Sequence, residues 1–105
     1  MPQPDDNYDL AMRDAKENIF LVAVRRAMDT RLIAVEFDAS RGPGPHQEHT
    51  LTISVRDSNI AVTSYGIPHE WLPVSTGFID TRFSKLVDSL LVDLEKKALN
   101  TGRFL

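Results

Sequence analysis

Between Tyr8 and Met28 the apolar positions Tyr8, Met12, Ala15, Ile19, Val22, Ala23 and Ala27 recur three or four residues apart. That is the spacing of one helical face, and it follows Asp6 and Asn7, whose side chains can cap a helix start. The pattern predicts a first helix over 8–28. Inside it, the run Ile19-Phe20-Leu21-Val22-Ala23-Val24 carries no clear period and also fits a buried strand. The absence of Gly and Pro throughout 8–28 favours the helix. A helix that is apolar all round at 19–24 needs cover from more than a sheet, either from a second helix or from a partner chain.

Three strand patterns follow. In 31–38, Ile33, Val35 and Phe37 alternate with Leu32, Ala34 and Glu36, so the first set shares one face, predicted to be core. In 49–57, Leu51, Ile53 and Val55 face one way, while Thr50, Thr52, Ser54 and Arg56 face the other as a polar sheet surface. Asp57-Ser58-Asn59 is a compact turn signal and predicts a tight hairpin into a strand over 60–65. The segment 39–48, with Gly42-Pro43-Gly44-Pro45 at its centre, is incompatible with helix and paired strand and reads as an exposed loop.

The clearest amphipathic element is the last. Ile79, Phe83, Leu86, Val87, Leu90, Leu94 and Ala98 form a helical stripe, with Asp80, Lys85, Asp88, Asp93, Lys96 and Lys97 mostly elsewhere. Ser75 or Thr76 can cap its start, and Asn100 or Gly102 can end it. The order helix, three antiparallel strands, helix gives an α+β fold, a two-layer sandwich with both helices on the Ile33/Leu51/Ile53/Val55 face. The chain reads as one α+β domain over 8–100, with a flexible N-terminal tail at 1–7 and a short C-terminal tail at 101–105.

A chain of 105 residues is long enough for one core without disulfides or a structural metal. Its net charge of −3 offers no general attraction for phosphate backbones or anionic membranes. The acidic excess lies in the first twenty residues, where Asp5, Asp6, Asp9, Asp14 and Glu17 outnumber Arg13 and Lys16. With no cysteine, disulfide frameworks, Cys-based zinc sites and thiol chemistry fall away together. The N-terminal residues show no signal-peptide pattern and no apolar run is long enough to span a bilayer. The expected location is the cytoplasm, with export by a route that reads no cleaved signal left open.

Candidate chemistry is sparse. His46-Gln47-Glu48-His49, with His69-Glu70 further on, offers imidazole and carboxylate ligands, but a three-residue step at a strand start turns His46 and His49 to opposite faces. They read as solvated histidines, and no metal, cofactor or catalytic residue is assigned. His69, Glu70 and Trp71 lie in the stiff connection Gly66–Pro73, where a carboxylate or imidazole tuned by burial could serve a ligand or acid/base site. The competing role is to plug the end of the core. Phosphate-binding glycine loops, nucleophile elbows and His-Glu-x-x-His are missing. Arg25, Arg26 and Arg31 form a small basic cluster, read as complementing the carbonyl end of the first helix.

The element order resembles that of the double-stranded-RNA-binding domain. That family places a lysine-rich stretch at the start of its final helix, whereas Gly77-Phe78-Ile79-Asp80-Thr81-Arg82 here has no lysine before Lys85. The chain is also similar to the acidic type III secretion chaperones in its size, acidity and helices around a sheet; that resemblance implies an extended protein partner.

The expected function is a non-enzymatic protein-interaction domain, adaptor or chaperone-like, engaging a protein partner or a second copy of itself. Its expected surfaces are Phe20 and Leu21 on the first helix and the open face Thr50, Thr52, Ser54 and Arg56. The alternative is a small-molecule-binding or catalytic domain centred on 66–73, and nucleic-acid binding comes third.

Overall fold

The computed structural model describes residues 4–39, 48–72 and 81–102, with side chains from Met12 onward in the first helix. Helix α1 spans Pro4–Arg25, strands β1, β2 and β3 span Ile33–Ala39, Glu48–Val55 and Ala61–Pro68, and helix α2 spans Thr81–Asn100. The strands form one antiparallel sheet in the order β1-β2-β3, so the chain is a mixed α+β fold as its pattern predicts. Of the segment 39–48 read as a loop, Ala39 belongs to β1 and Glu48 to β2; residues 40–47, the expected caps Ser75 and Thr76, and Ile79 and Asp80 lie outside the described residues.

The run 19–24 is helical throughout. The helix begins at Pro4, so residues 4–7 form its first turn and not part of a tail; proline fits there because its missing N–H has no helical partner to lose. The helix ends at Arg25, short of Met28. Ala27 adopts φ +58°, its N–H donates to the Val24 carbonyl at 2.9 Å, and Met28 N–H donates to the Ala23 carbonyl at 3.0 Å. These two bonds are the Schellman closure, which usually places glycine where Ala27 stands. The closure turns Met28 back into the core.

Asp29 then caps a single 3-10 turn, Thr30–Leu32, that leads into β1. In β2 the alternation holds as read: Leu51, Ile53 and Val55 are buried, while Thr50, Thr52 and Ser54 are half-exposed and Arg56 is exposed. The β2–β3 turn closes where Asp57 takes φ +57°. There Ser58 Oγ donates to the Val55 carbonyl at 2.8 Å and accepts from Ile60 N–H at 3.1 Å.

One irregularity shapes the far end of the sheet. His49 pairs with Ile67 but Leu51 pairs with Ser64, so two residues of β3, Tyr65 and Gly66, stand opposite Thr50 alone. This is a β-bulge, and Gly66 at φ +68° supplies its left-handed residue. The bulge shifts the phase of β3 by one residue, which returns Ile67 to the core face.

Helix α2 lies against β2 and β3, and α1 lies against α2 and the turn leading into β1. Phe83, Val87, Leu90, Leu91, Leu94 and Ala98 are buried along α2, and Ala15, Ile19, Val22 and Ala23 along α1. Leu91 extends the stripe beyond the positions read from the sequence.

Candidate functional site

Two regions answer to the residues singled out in the sequence. The first is the end of the domain where β2 begins and β3 runs into a 3-10 turn, His69–Trp71. His49 sits on the core face of β2 and is 0% exposed, which corrects its reading as a solvated histidine. Its Nε2 lies 2.9 Å from Nδ1 of His69, and the two rings stack with centroids 5.1 Å apart.

Two causes bring the rings together. Parity puts His49 on the same face as Leu51, Ile53 and Val55, and the bulge at Gly66 swings the chain so that His69 arrives opposite it. Burial away from water, reinforced by the neighbouring His69, pushes the His49 pKa down to about 4. The tautomer of each ring sets which nitrogen of the pair donates and which accepts.

Glu70 and Trp71 turn toward α2. The Glu70 carboxylate is exposed and lies 3.9 Å from the Arg82 guanidinium, which in turn sits 5.1 Å from the centre of the Trp71 ring. Trp71 is half-buried and packs against the core; its Nε1 is buried and has no hydrogen-bond partner among the described residues. His69 and Glu70 are therefore separated in their partners, one engaged with β2 and the other with α2. Among the described residues no group of three or more His, Asp or Glu side chains could hold a metal ion. His46 lies outside the described residues.

The second region is the flank formed by α1 and β1. Leu21 is 56% and Val24 61% exposed. With Glu17, Phe20 and Thr30 they line a shallow groove of about 370 Å³. Phe20 is half-buried, and so are Val35 and Phe37 on the core face of β1. The equivalent residues of the central and opposite strands, Leu51, Ile53, Val62 and Ile67, are buried. Ile33 at the start of β1 is buried too, and Phe37 stacks on Phe83 of α2 with ring centres 6.5 Å apart, so the hydrophobic layer is closed over β2, β3 and the start of β1 and thins at Val35 and Phe37. The sequence pattern pointed to Phe20 and Leu21 but not to Val24, which the same six-residue apolar run contains.

The two sheet edges differ as well. On the outer side of β3, Lys97 Nζ donates to the Ala61 carbonyl at 2.9 Å, so α2 guards that edge with a charged side chain. On β1, the Leu32 carbonyl accepts from Arg56 N–H at 2.7 Å. By antiparallel alternation this directs the backbone groups of Ala34, Glu36 and Asp38 toward β2, leaving those of Val35 and Phe37 and the carbonyl of Ile33 on the outer edge, while the Ile33 N–H donates to the Thr30 carbonyl.

The open sheet face is polar. Thr52 and Thr63 stand opposite each other with hydroxyls 3.1 Å apart. Glu36 and Asp38 of β1 pair with Thr52 and Thr50, and Tyr65 is the large apolar side chain exposed there. Thr50, Thr52, Ser54 and Arg56 do share one surface, but it has no apolar centre.

The basic cluster is largely neutralised by carboxylates, not by helix carbonyls. Arg26 bridges to Glu95 at 2.9 Å and Asp88 at 3.0 Å on α2, and Arg31 pairs with Asp29 at 3.0 Å. No described helix is long and apolar enough to cross a membrane. In comparisons with family models, with curated proteins and with solved structures, no match to this chain was found.

Proposed function

We propose that this chain is a non-enzymatic protein-interaction domain that works through its α1/β1 flank. The observation that carries the reading is the localisation of uncovered apolar surface. Leu21 and Val24 stand exposed on α1 and line a groove with the half-buried Phe20, and Val35 and Phe37 of the edge strand are half-buried as well. The remainder of the sheet's core face is closed. Apolar side chains scattered singly over a surface need no explanation, but exposed ones that line a groove together, in a domain whose β1 is an edge strand among the described residues, are the arrangement of a contact surface. The rival reading, a ligand or acid/base site at 66–73, is weakened because His69 is engaged with a buried, neutral His49 and Glu70 points to Arg82.

The test is affinity capture with tagged protein from nuclease-treated lysate of its source cell, beside the Leu21→Ser variant. Leu21 is exposed, so the variant should melt within about 0.5 kcal/mol of wild type. Loss of a near-stoichiometric retained protein in the variant supports the reading; retention that is absent, or unaffected by the substitution, contradicts it.

A further inference from the structure

We propose that the occupant of the α1/β1 flank is a second copy of this chain, joined by antiparallel pairing of β1 with β1 of the partner about a two-fold axis at Val35. This rests on the interaction reading above and adds the partner's identity and register.

The backbone fixes what the edge can accept. The outward groups are the N–H and carbonyl of Val35 and of Phe37, together with the carbonyl of Ile33. A two-fold axis at Val35 sets Val35 against its own copy, where both hydrogen bonds of an antiparallel pair are exchanged, and Ile33 against Phe37, where the Phe37 N–H donates to the Ile33 carbonyl while the Ile33 N–H stays with the Thr30 carbonyl. The same operation keeps Ile33, Val35 and Phe37 of both copies on the helix side of a continuous sheet.

Charge selects this register over its neighbour. An axis at Glu36 would set Glu36 directly against Glu36, a like-charge pair at the closer, non-hydrogen-bonded spacing. With the axis at Val35, Glu36 faces Ala34 and Asp38 faces Leu32, so no two carboxylates are opposed. The only charged side chains within β1 are these two acids, and both lie on the open face.

The helix layer explains why the partner is a folded copy and not an extended peptide. A peptide strand would satisfy the β1 edge but would leave uncovered Leu21 and Val24, which line the groove beside Thr30 in the turn leading into β1. A second domain related by the two-fold brings its own α1 to that groove, as isologous interfaces require. The strand edge and the helix groove are closed by one contact.

Because the chain contains no cysteine, an introduced one reports the register directly. The Cα atoms of a hydrogen-bonded antiparallel pair lie about 5.5 Å apart, within disulfide range. Val35→Cys should therefore yield a disulfide-linked dimer under mild oxidation. Asp38→Cys should not, because its two copies would stand roughly 20 Å apart along the strands. Val35→Pro, tolerated on an edge strand whose N–H faces outward, should shift wild-type dimer to monomer in sedimentation velocity while leaving the circular dichroism spectrum unchanged. Leu21→Glu provides a second variant at an exposed position with the same expected shift.

A wild-type chain that is monomeric at every concentration, or linkage at 38 in place of 35, overturns this pairing. In either event the capture experiment with Leu21→Ser separately decides whether the flank binds a different protein.

Discussion

His49 Nε2 lies 2.9 Å from His69 Nδ1 across the end of the sheet, with the first ring fully buried and the second half-buried. The pair links the core face of β2 to the 3-10 turn that follows β3, and it gives the fold a defined response to acid.

The His49 pKa is about 4 in the folded chain, below the value of about 6.5 that an unfolded histidine has. Between these values the unfolded chain binds a proton that the folded chain does not, so stability is complete above about pH 6.5 and is lost as pH falls toward 4. The shift corresponds to roughly 3 kcal/mol at the acid limit. Asp29, whose carboxylate is held low by hydrogen bonds from Arg31, gives up its contribution only below that window. Urea unfolding at intervals between pH 7 and pH 4 should show this decline, and His49→Leu should flatten it. An undiminished slope in the variant would assign the acid sensitivity elsewhere.

Ala27 holds φ +58° to close α1, a conformation that costs a residue with a Cβ and costs glycine little. Ala27→Gly should therefore stabilise the domain by about 0.5–1 kcal/mol, against the usual penalty for introducing glycine. Thermal melting is the measurement, and a fall in midpoint would contradict the Schellman geometry.

Arg26 ties the end of α1 to two carboxylates of α2. Hydrogen bonding to Glu95 is the largest cause of its raised pKa, but the pairs are partly exposed and solvent weakens them. Arg26→Ala should cost about 0.5–1 kcal/mol at low salt and less at high salt. Paired denaturation curves at two ionic strengths would show whether the loss is salt-sensitive.

Leu94 is fully buried on α2. Leu94→Ala should cost about 2–5 kcal/mol, the range for a large-to-small core substitution, and chemical denaturation would read it. Leu99→Ala, at an exposed position of the same helix, should change little.

The elements themselves were legible because each carries a strong period. Leu51, Ile53 and Val55 alternate, and Phe83, Val87, Leu90 and Leu94 repeat at helical spacing. The histidine pair was not legible, although one half of it was within reach: the alternation that buries Leu51 also buries His49. Its other half depends on a bulge at Gly66 that no local pattern announces, and a one-residue shift there decides which side chains meet across the sheet. The stop of α1 at Arg25 was hidden because alanine stands where glycine usually signals a closure. The uncovered flank was half legible. An apolar run all round a helix shows that something must cover it, but which side remains open depends on α2 settling over β2 and β3.

Amide exchange at β1 tests the covered-flank account most directly. The N–H groups of Val35 and Phe37 lie on the outer edge of the sheet, with no partner strand among the described residues, so slow exchange there that is lost on dilution marks pairing with another chain. Exchange followed residue by residue should be slow at these amides in concentrated wild-type protein, and fast on dilution or in Leu21→Ser. Fast exchange at Val35 and Phe37 in all three samples would show an edge open to water and contradict the pairing.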